Sequence, residues 1–186
     1  MSFLATVEPT ERMRDRDIAN VGHVMNASQL WAHLPNLHKG LFDLMGEAVR
    51  AASLTFRQRA VLVVACASTL GDGYCSLVWG TKLANAASAE TAGGVLRGDD
   101  ALLDPTERVL ARWARTMTRD PNATKDDDVQ PLRDAGYDDT QILAITTFVA
   151  LRAAFATIND ALGVQPDREA TEAAPPAVRD AVTYGR

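Results

Sequence analysis

Soft metal ligands are scarce in this chain of 186 residues, which has two cysteines and three histidines. Cys66 and Cys75 are too few for a disulfide framework. His33 and His38, five apart, fall on different helix faces. No Cys, His and carboxylate set, His23 included, has ligand spacing, so neither a metal site nor a cofactor is expected. The Asp126-Asp127-Asp128 run lacks the glycine and the spaced oxygens of a calcium loop. It reads instead as favourable charge at a helix N-terminus. Lys/Arg-rich runs are missing and the net charge is −5, which argues against nucleic acid as a partner. No uninterrupted apolar run is long enough to span a membrane, so no membrane partner is expected. The opening MSFLATVEPTERMRDRD has no apolar stretch behind a basic start. A cytoplasmic protein without a secretory signal is the expectation. Alternating strand patterns of useful length are absent too.

What remains is a helical pattern over a chain that is 47% hydrophobic, enough to fill a core. A first helix is expected over 10–25, capped by Thr10. The stretch 27–50 reads as a helix broken near Pro35, with Leu37, Leu41, Leu44, Met45 and Val49 as its apolar stripe. Thr55 caps a helix over 56–70 that is apolar on every side, as the centre of a bundle requires. Gly71-Asp72-Gly73 interrupts it, and Asp72 caps the next helix, over 73–87. Ser88 caps a short helix ending near Gly98, and Asp104-Pro105 opens another, running to about Arg119. Thr124 and the aspartate run start the next, which Gly136 ends. A long apolar helix follows from Gln141 to Leu162. The expected fold is all-α, a compact bundle of about seven to nine helices. Residues 1–165 form one domain, and 166–186 a loosely structured tail rich in proline.

Two residues could carry chemistry on position alone. Cys75 lies in the first turn of the helix that Asp72 caps. The helix dipole favours a thiolate there. The Asp72 carboxylate, about one turn away, opposes it. Cys66 lies nine positions earlier in the apolar helix. The two would be about 13.5 Å apart along one helix, beyond disulfide range. A reversal at Gly71–Gly73 shortens that distance, yet Cys66 still reads as a buried core thiol. Tyr74 and Trp79 either pack a core or line a pocket.

The stretch Leu54–Ala84, LTFRQRAVLVVACASTLGDGYCSLVWGTKLA, resembles the signature of the alkyl hydroperoxidase D and carboxymuconolactone decarboxylase superfamily. That signature runs from Leu-Ser/Thr through an Arg/Glu-rich turn and a long apolar helix to Cys-x-Tyr-Cys-x-x-x-His. The segment from Asp104 to Asp139 is similar to the second half of the family, and the likeness spans roughly residues 20–165. The resemblance implies the alkyl hydroperoxidase D-like bundle and a homo-oligomer. In the family, two thiols three apart reduce a peroxide, and a histidine and a glutamate move protons. Here Cys75 and Tyr74 stand in place, while Asp72 replaces the first cysteine and Trp79 the histidine. Gln58 and Ala60 stand where the turn usually has glutamates. The Cys-x-x-Cys motif is thus degenerate. Asp72 cannot resolve a sulfenic acid, and an indole N–H only donates.

Three functions stay open. One is a peroxidase-related enzyme reduced to a single thiol, Cys75. A second is a non-redox lyase of the carboxymuconolactone decarboxylase type, with Asp72 as its acid or base and Tyr74, Trp79 and Gln58 around the pocket. The third is a non-catalytic oligomer that binds a small molecule or a partner protein.

Overall fold

Most of the longer helices open on a side chain that accepts from an otherwise free backbone N–H, and these caps set the element boundaries. The computed structural model describes residues 2–186. Among them are eleven α-helices, one 3-10 turn and no strand. Thr10 caps α1 (Glu11–Val21). α2 (Asn26–Trp31) and α3 (Pro35–Ala51) follow, divided before Pro35. Thr55 and Gln58 close a capping box on α4 (Phe56–Leu70), and Asp72 caps α5 (Gly73–Ala86). Ser88 caps α6 (Ala89–Arg97). Asp104 caps α7 (Pro105–Arg119), and Asp138 caps α9 (Asp139–Ala161). Between them, α8 (Asp126–Asp134) starts one residue later than expected, after Lys125. Thr124 instead donates its hydroxyl to the Pro121 carbonyl at 2.9 Å.

α4 is the axis of the molecule. Every residue from Ala60 to Ala67 is buried, and the helix packs against α5, α6, α7 and α9. Its valines and leucine each contribute roughly 1.5–3 kcal/mol by leaving water. α3 lies along α9 on the other side of that core. α9, at 23 residues, is long and apolar enough by composition to cross a membrane. Here it is a core helix, with Ile145, Phe148, Val149 and Phe155 buried.

The structure departs most from the sequence reading in two places. On α3 the buried positions are His38, Met45 and Ala48, while Leu37 and Leu44 are 58% and 55% exposed. The apolar stripe therefore splits between two faces. The second departure is the segment after Pro166, which is packed. It forms α10 (Arg168–Ala173) and α11 (Pro176–Arg179). Ala174, Val178 and Ala181 are buried, and α11 docks on α5 and α6. Gly80 makes room for this contact, because a Cβ there would stand 2.8 Å from Val178.

Candidate functional site

The site begins at the break between α4 and α5. Gly71 ends α4 in the left-handed region at φ 76°, a conformation that costs glycine little. The chain turns, and Asp72 Oδ1 accepts from the Cys75 backbone N–H at 2.9 Å. The other Asp72 oxygen is buried without a hydrogen-bond partner. Gly73 lets the C-terminal segment come close, since a Cβ there would stand 2.9 Å from the Tyr184 carbonyl oxygen. The Tyr184 hydroxyl donates to Ser76 Oγ at 3.1 Å. Asp72 is fully buried beneath this segment.

Cys75 faces the other way, into a cavity of about 480 Å³. Burial pushes its thiol well above the usual range, and the Asp72 carboxylate pushes in the same direction. The Arg152 guanidinium opposes them, with Nη2 at 3.5 Å from Sγ. Burial and the carboxylate win, so the thiol stays protonated at neutral pH. The expected contest between dipole and carboxylate is settled by a third factor, desolvation.

Six elements line the cavity: α1, α2, α3, the start of α4, α5 and α9. Its apolar wall is aromatic. Phe155 stacks on Trp31 at 5.5 Å between centroids and meets Phe42 edge-on at 5.4 Å. Trp79 and Phe56 stack at 6.2 Å. Cations lie over these rings, a favourable placement for a desolvated charge. Arg152 is 5.2 Å from the Trp79 centroid and 5.3 Å from that of Phe155. Lys82 lies 4.9 Å over Trp79, and Arg59 5.2 Å over Phe56. Burial lowers the Lys82 ammonium, and the positive charges of Arg152 and Arg59 lower it further. On the α1–α3 side, Arg16 contacts the Nδ1 atom of His38 at 3.4 Å. Burial and then Arg16 hold His38 down to about 4, with Asp17 opposing. The imidazole is therefore neutral.

Of the residues singled out from sequence, Cys75, Tyr74 and Trp79 meet on the cavity wall. Tyr74 has its hydroxyl tied back, donating to Asp167 Oδ2 at 2.9 Å. Burial and then the Asp167 charge raise its phenol well above the usual range, so it is an anchor for the C-terminal segment. Asp72 and Gln58 are not on that wall. Gln58 accepts from the Thr55 backbone N–H at 3.0 Å, and its amide reaches the Tyr137 hydroxyl at 3.4 Å. Cys66 is buried, and the Thr118 hydroxyl donates to its sulfur at 3.5 Å. Both thiols are free. They border a common packing gap, beside Arg152 and Ala156, too small to hold a water.

Sequence reasoning missed Arg59, Lys82, Arg152 and His38 as cavity residues. For Arg152 a signal existed. It is the lone charge between Asp139 and Asp160 in an otherwise apolar helix, where a cation needs a reason. Lys82 carries the same signal, as the lone charge of α5, while Arg59 and His38 stand among other polar residues and gave none.

No protein-family model matches the chain, and no curated protein matches it. Solved structures do. One is the alkylhydroperoxidase AhpD core of an uncharacterized peroxidase-related protein from Ralstonia eutropha JMP134. It has a TM-score of 0.72 and 20% identity over 91% of this chain and 94% of that one. Another is an uncharacterized peroxidase-related protein from Silicibacter sp. TM1040. It has a TM-score of 0.79 and 19% identity over 89% of this chain and 91% of that one. An all-α chain of this helix order, with its Asp72-capped turn leading into Cys75, thus has the alkyl hydroperoxidase D-like fold of the peroxidase-related proteins.

Proposed function

We propose that the protein binds a small molecule over a single protonated thiol, Cys75, and does not run a dithiol peroxidase cycle. The observation that carries this reading is the cavity of about 480 Å³ reaching Cys75 between aromatic walls, a size that suits a small organic ligand. Against a dithiol cycle stand three facts. Position 72 is an aspartate occupied with capping Cys75. Trp79 only donates. The thiol is held protonated, and the thiolate is the form that attacks peroxide. The acid or base named for the lyase reading, Asp72, lies outside the cavity wall, which weighs against that reading.

A second reading, a single-thiol peroxidase, is favoured by the Arg152 contact to the Cys75 sulfur. In that cycle the thiol and a hydroperoxide would give a sulfenic acid and an alcohol. Two equivalents of an external thiol would then restore Cys75, releasing a disulfide and water.

Peroxide consumption followed together with intact mass separates the readings. The binding protein leaves hydroperoxide largely unconsumed when a small thiol is supplied. Many turnovers with such a thiol would establish the peroxidase instead. A Cys66–Cys75 disulfide formed in high yield, with turnover, would overturn both.

The reading includes a homo-oligomer. Leu34, Leu37 and Leu44 stand exposed on or beside one helix, α3, an apolar surface that a second copy would cover. A light-scattering mass near the 20.0 kDa of one chain across a wide concentration range would overturn that part.

A further inference from the structure

Arg59, Lys82 and Arg152 arrive at the Trp79 side of the cavity from α4, α5 and α9. Among the described residues, none of them pairs with a carboxylate. Arg152 is only 5% exposed. Its polar contact is the neutral Cys75 thiol, and its Nε has no hydrogen-bond partner. The Nε of Arg59 is likewise buried and unpartnered. The cavity wall does carry a carboxylate, Asp17, but it is already engaged. It accepts from the Met25 backbone N–H at 3.1 Å and from Arg16 at 3.1 Å. Arg16 in turn is spent on Asp17, Ser28 and His38.

A buried cation such as Arg152 without an anion is unfavourable, and the half-buried Arg59 and Lys82 beside it add repulsion. Aromatic faces offset part of this. They leave the Nε–H donors of Arg59 and Arg152, which lie in the guanidinium plane, without acceptors. A carboxylate among the three would satisfy these donors, and the flat guanidinium fork suits its two oxygens. The space is much larger than an inorganic anion needs, and its wall also offers apolar surface, with Phe42, Val78 and Phe155.

We propose that this cavity binds a small organic acid with an aromatic or similarly flat apolar body. The carboxylate lies among Arg59, Lys82 and Arg152, and the body rests against Phe42 and Phe155. This deepens the small-molecule reading above and rests on it.

The test compares 1-naphthoate, its uncharged analogue 1-naphthamide and inorganic phosphate, by calorimetry and thermal shift on the whole chain. Naphthoate should bind, and raising salt should weaken it only modestly, since the charges are partly buried. Naphthamide should bind at least about tenfold more weakly, and phosphate should not displace naphthoate. Arg152→Met should weaken naphthoate by about tenfold to a hundredfold while leaving naphthamide unchanged. Lys82→Met, at a half-buried position, gives the same pattern in smaller degree and serves if Arg152→Met does not fold. Equal affinity for naphthoate and naphthamide would overturn the acid site and leave the small-molecule reading standing. Displacement by phosphate would overturn the organic body. Failure of both naphthalenes to bind at millimolar concentration would overturn the acid site and the small-molecule reading together.

Discussion

Arg115 and Arg152 are both buried arginines on core helices, 8% and 5% exposed, and they live in opposite circumstances. Arg115, on α7, is fully answered. Its guanidinium donates to both oxygens of Asp100, at 2.6 and 3.0 Å, and to the Val95 carbonyl at 2.9 Å. Arg152, on α9, has two aromatic faces, a thiol and no carboxylate. The first holds the α6–α7 loop against the bundle. The second is a donor set waiting on one side of a cavity. Burial alone therefore does not mark a site in this molecule. The marker is burial without a partner.

Removing each arginine tests that contrast and carries the largest expected effect. Arg115→Met leaves Asp100 and the Val95 carbonyl without their donor. The loss should be about 3 kcal/mol, the usual consequence of breaking one side of a buried pair. Arg152→Met strands no carboxylate and fills the space with apolar atoms. It should change stability by less than about 1 kcal/mol, and a small gain is as compatible with the contrast as a small loss. Urea denaturation of the two variants is the measurement. Equal losses would show that Arg152 is as structural as Arg115.

Acid sharpens the comparison between the cavity and the C-terminal side. On the cavity side, His38 is held down to about 4, below its usual 6.5. Between those values the unfolded chain takes up a proton that the folded chain refuses. Stability should thus fall as pH drops from about 6.5 towards 4, by roughly 2 kcal/mol after allowance for solvent screening. On the other side, burial raises Asp160 to about 6, helped by the Asp72 charge and opposed by Arg186. There the folded state binds the extra proton, so the same drop in pH should stabilise. The two contributions oppose each other in the natural chain. Asp160→Asn should expose the full acid loss from His38, and His38→Gln should abolish it. Denaturation midpoints at pH 7 and 4.5 read this directly. An acid loss in Asp160→Asn no larger than in the natural chain would show that the Asp160 carboxyl is solvated.

The fold was largely legible in the sequence because its boundaries are local. Thr10, Thr55, Asp72, Ser88, Asp104 and Asp138 each accept from the backbone N–H three residues on, and a cap depends on little outside its own turn. The all-apolar run from Val61 to Ala67 announced the central helix in the same way. The α10–α11 segment was not legible. Its burial depends on the small residue Gly80, far away in sequence, which lets Val178 approach. The face of α3 was misread for a related reason. Leucines at helical spacing satisfy the pattern on either face, and the partner helix α9 selects His38 and Met45. The site was half legible. Cys75, Tyr74 and Trp79 lie close together at the start of α5 and were found together. The cations come from three separate helices, and no local pattern joins them.

The smallest expected effect concerns Asp72 and the contrast between its two faces. Asp72 is an N-cap towards the Cys75 backbone and an unsatisfied carboxylate oxygen on its other side. Asp72→Asn keeps the cap, since Asn ranks with Asp at that position, and removes the charge. Stability should shift by less than about 1 kcal/mol. The thiol should respond more clearly, because the Asp72 charge is the second cause, after burial, of its raised pKa. Burial remains, so the shift is downward but partial. Rates of alkylation alone would confuse acidity with access, as Cys75 is 3% exposed. The pH at which alkylation reaches half its plateau is free of that confusion, because access scales the whole curve without moving its midpoint. Measured in a Cys66→Ala background, that midpoint should move to lower pH in Asp72→Asn. An unmoved midpoint would mean that desolvation alone holds the thiol protonated. The aspartate would then be a helix cap and nothing more.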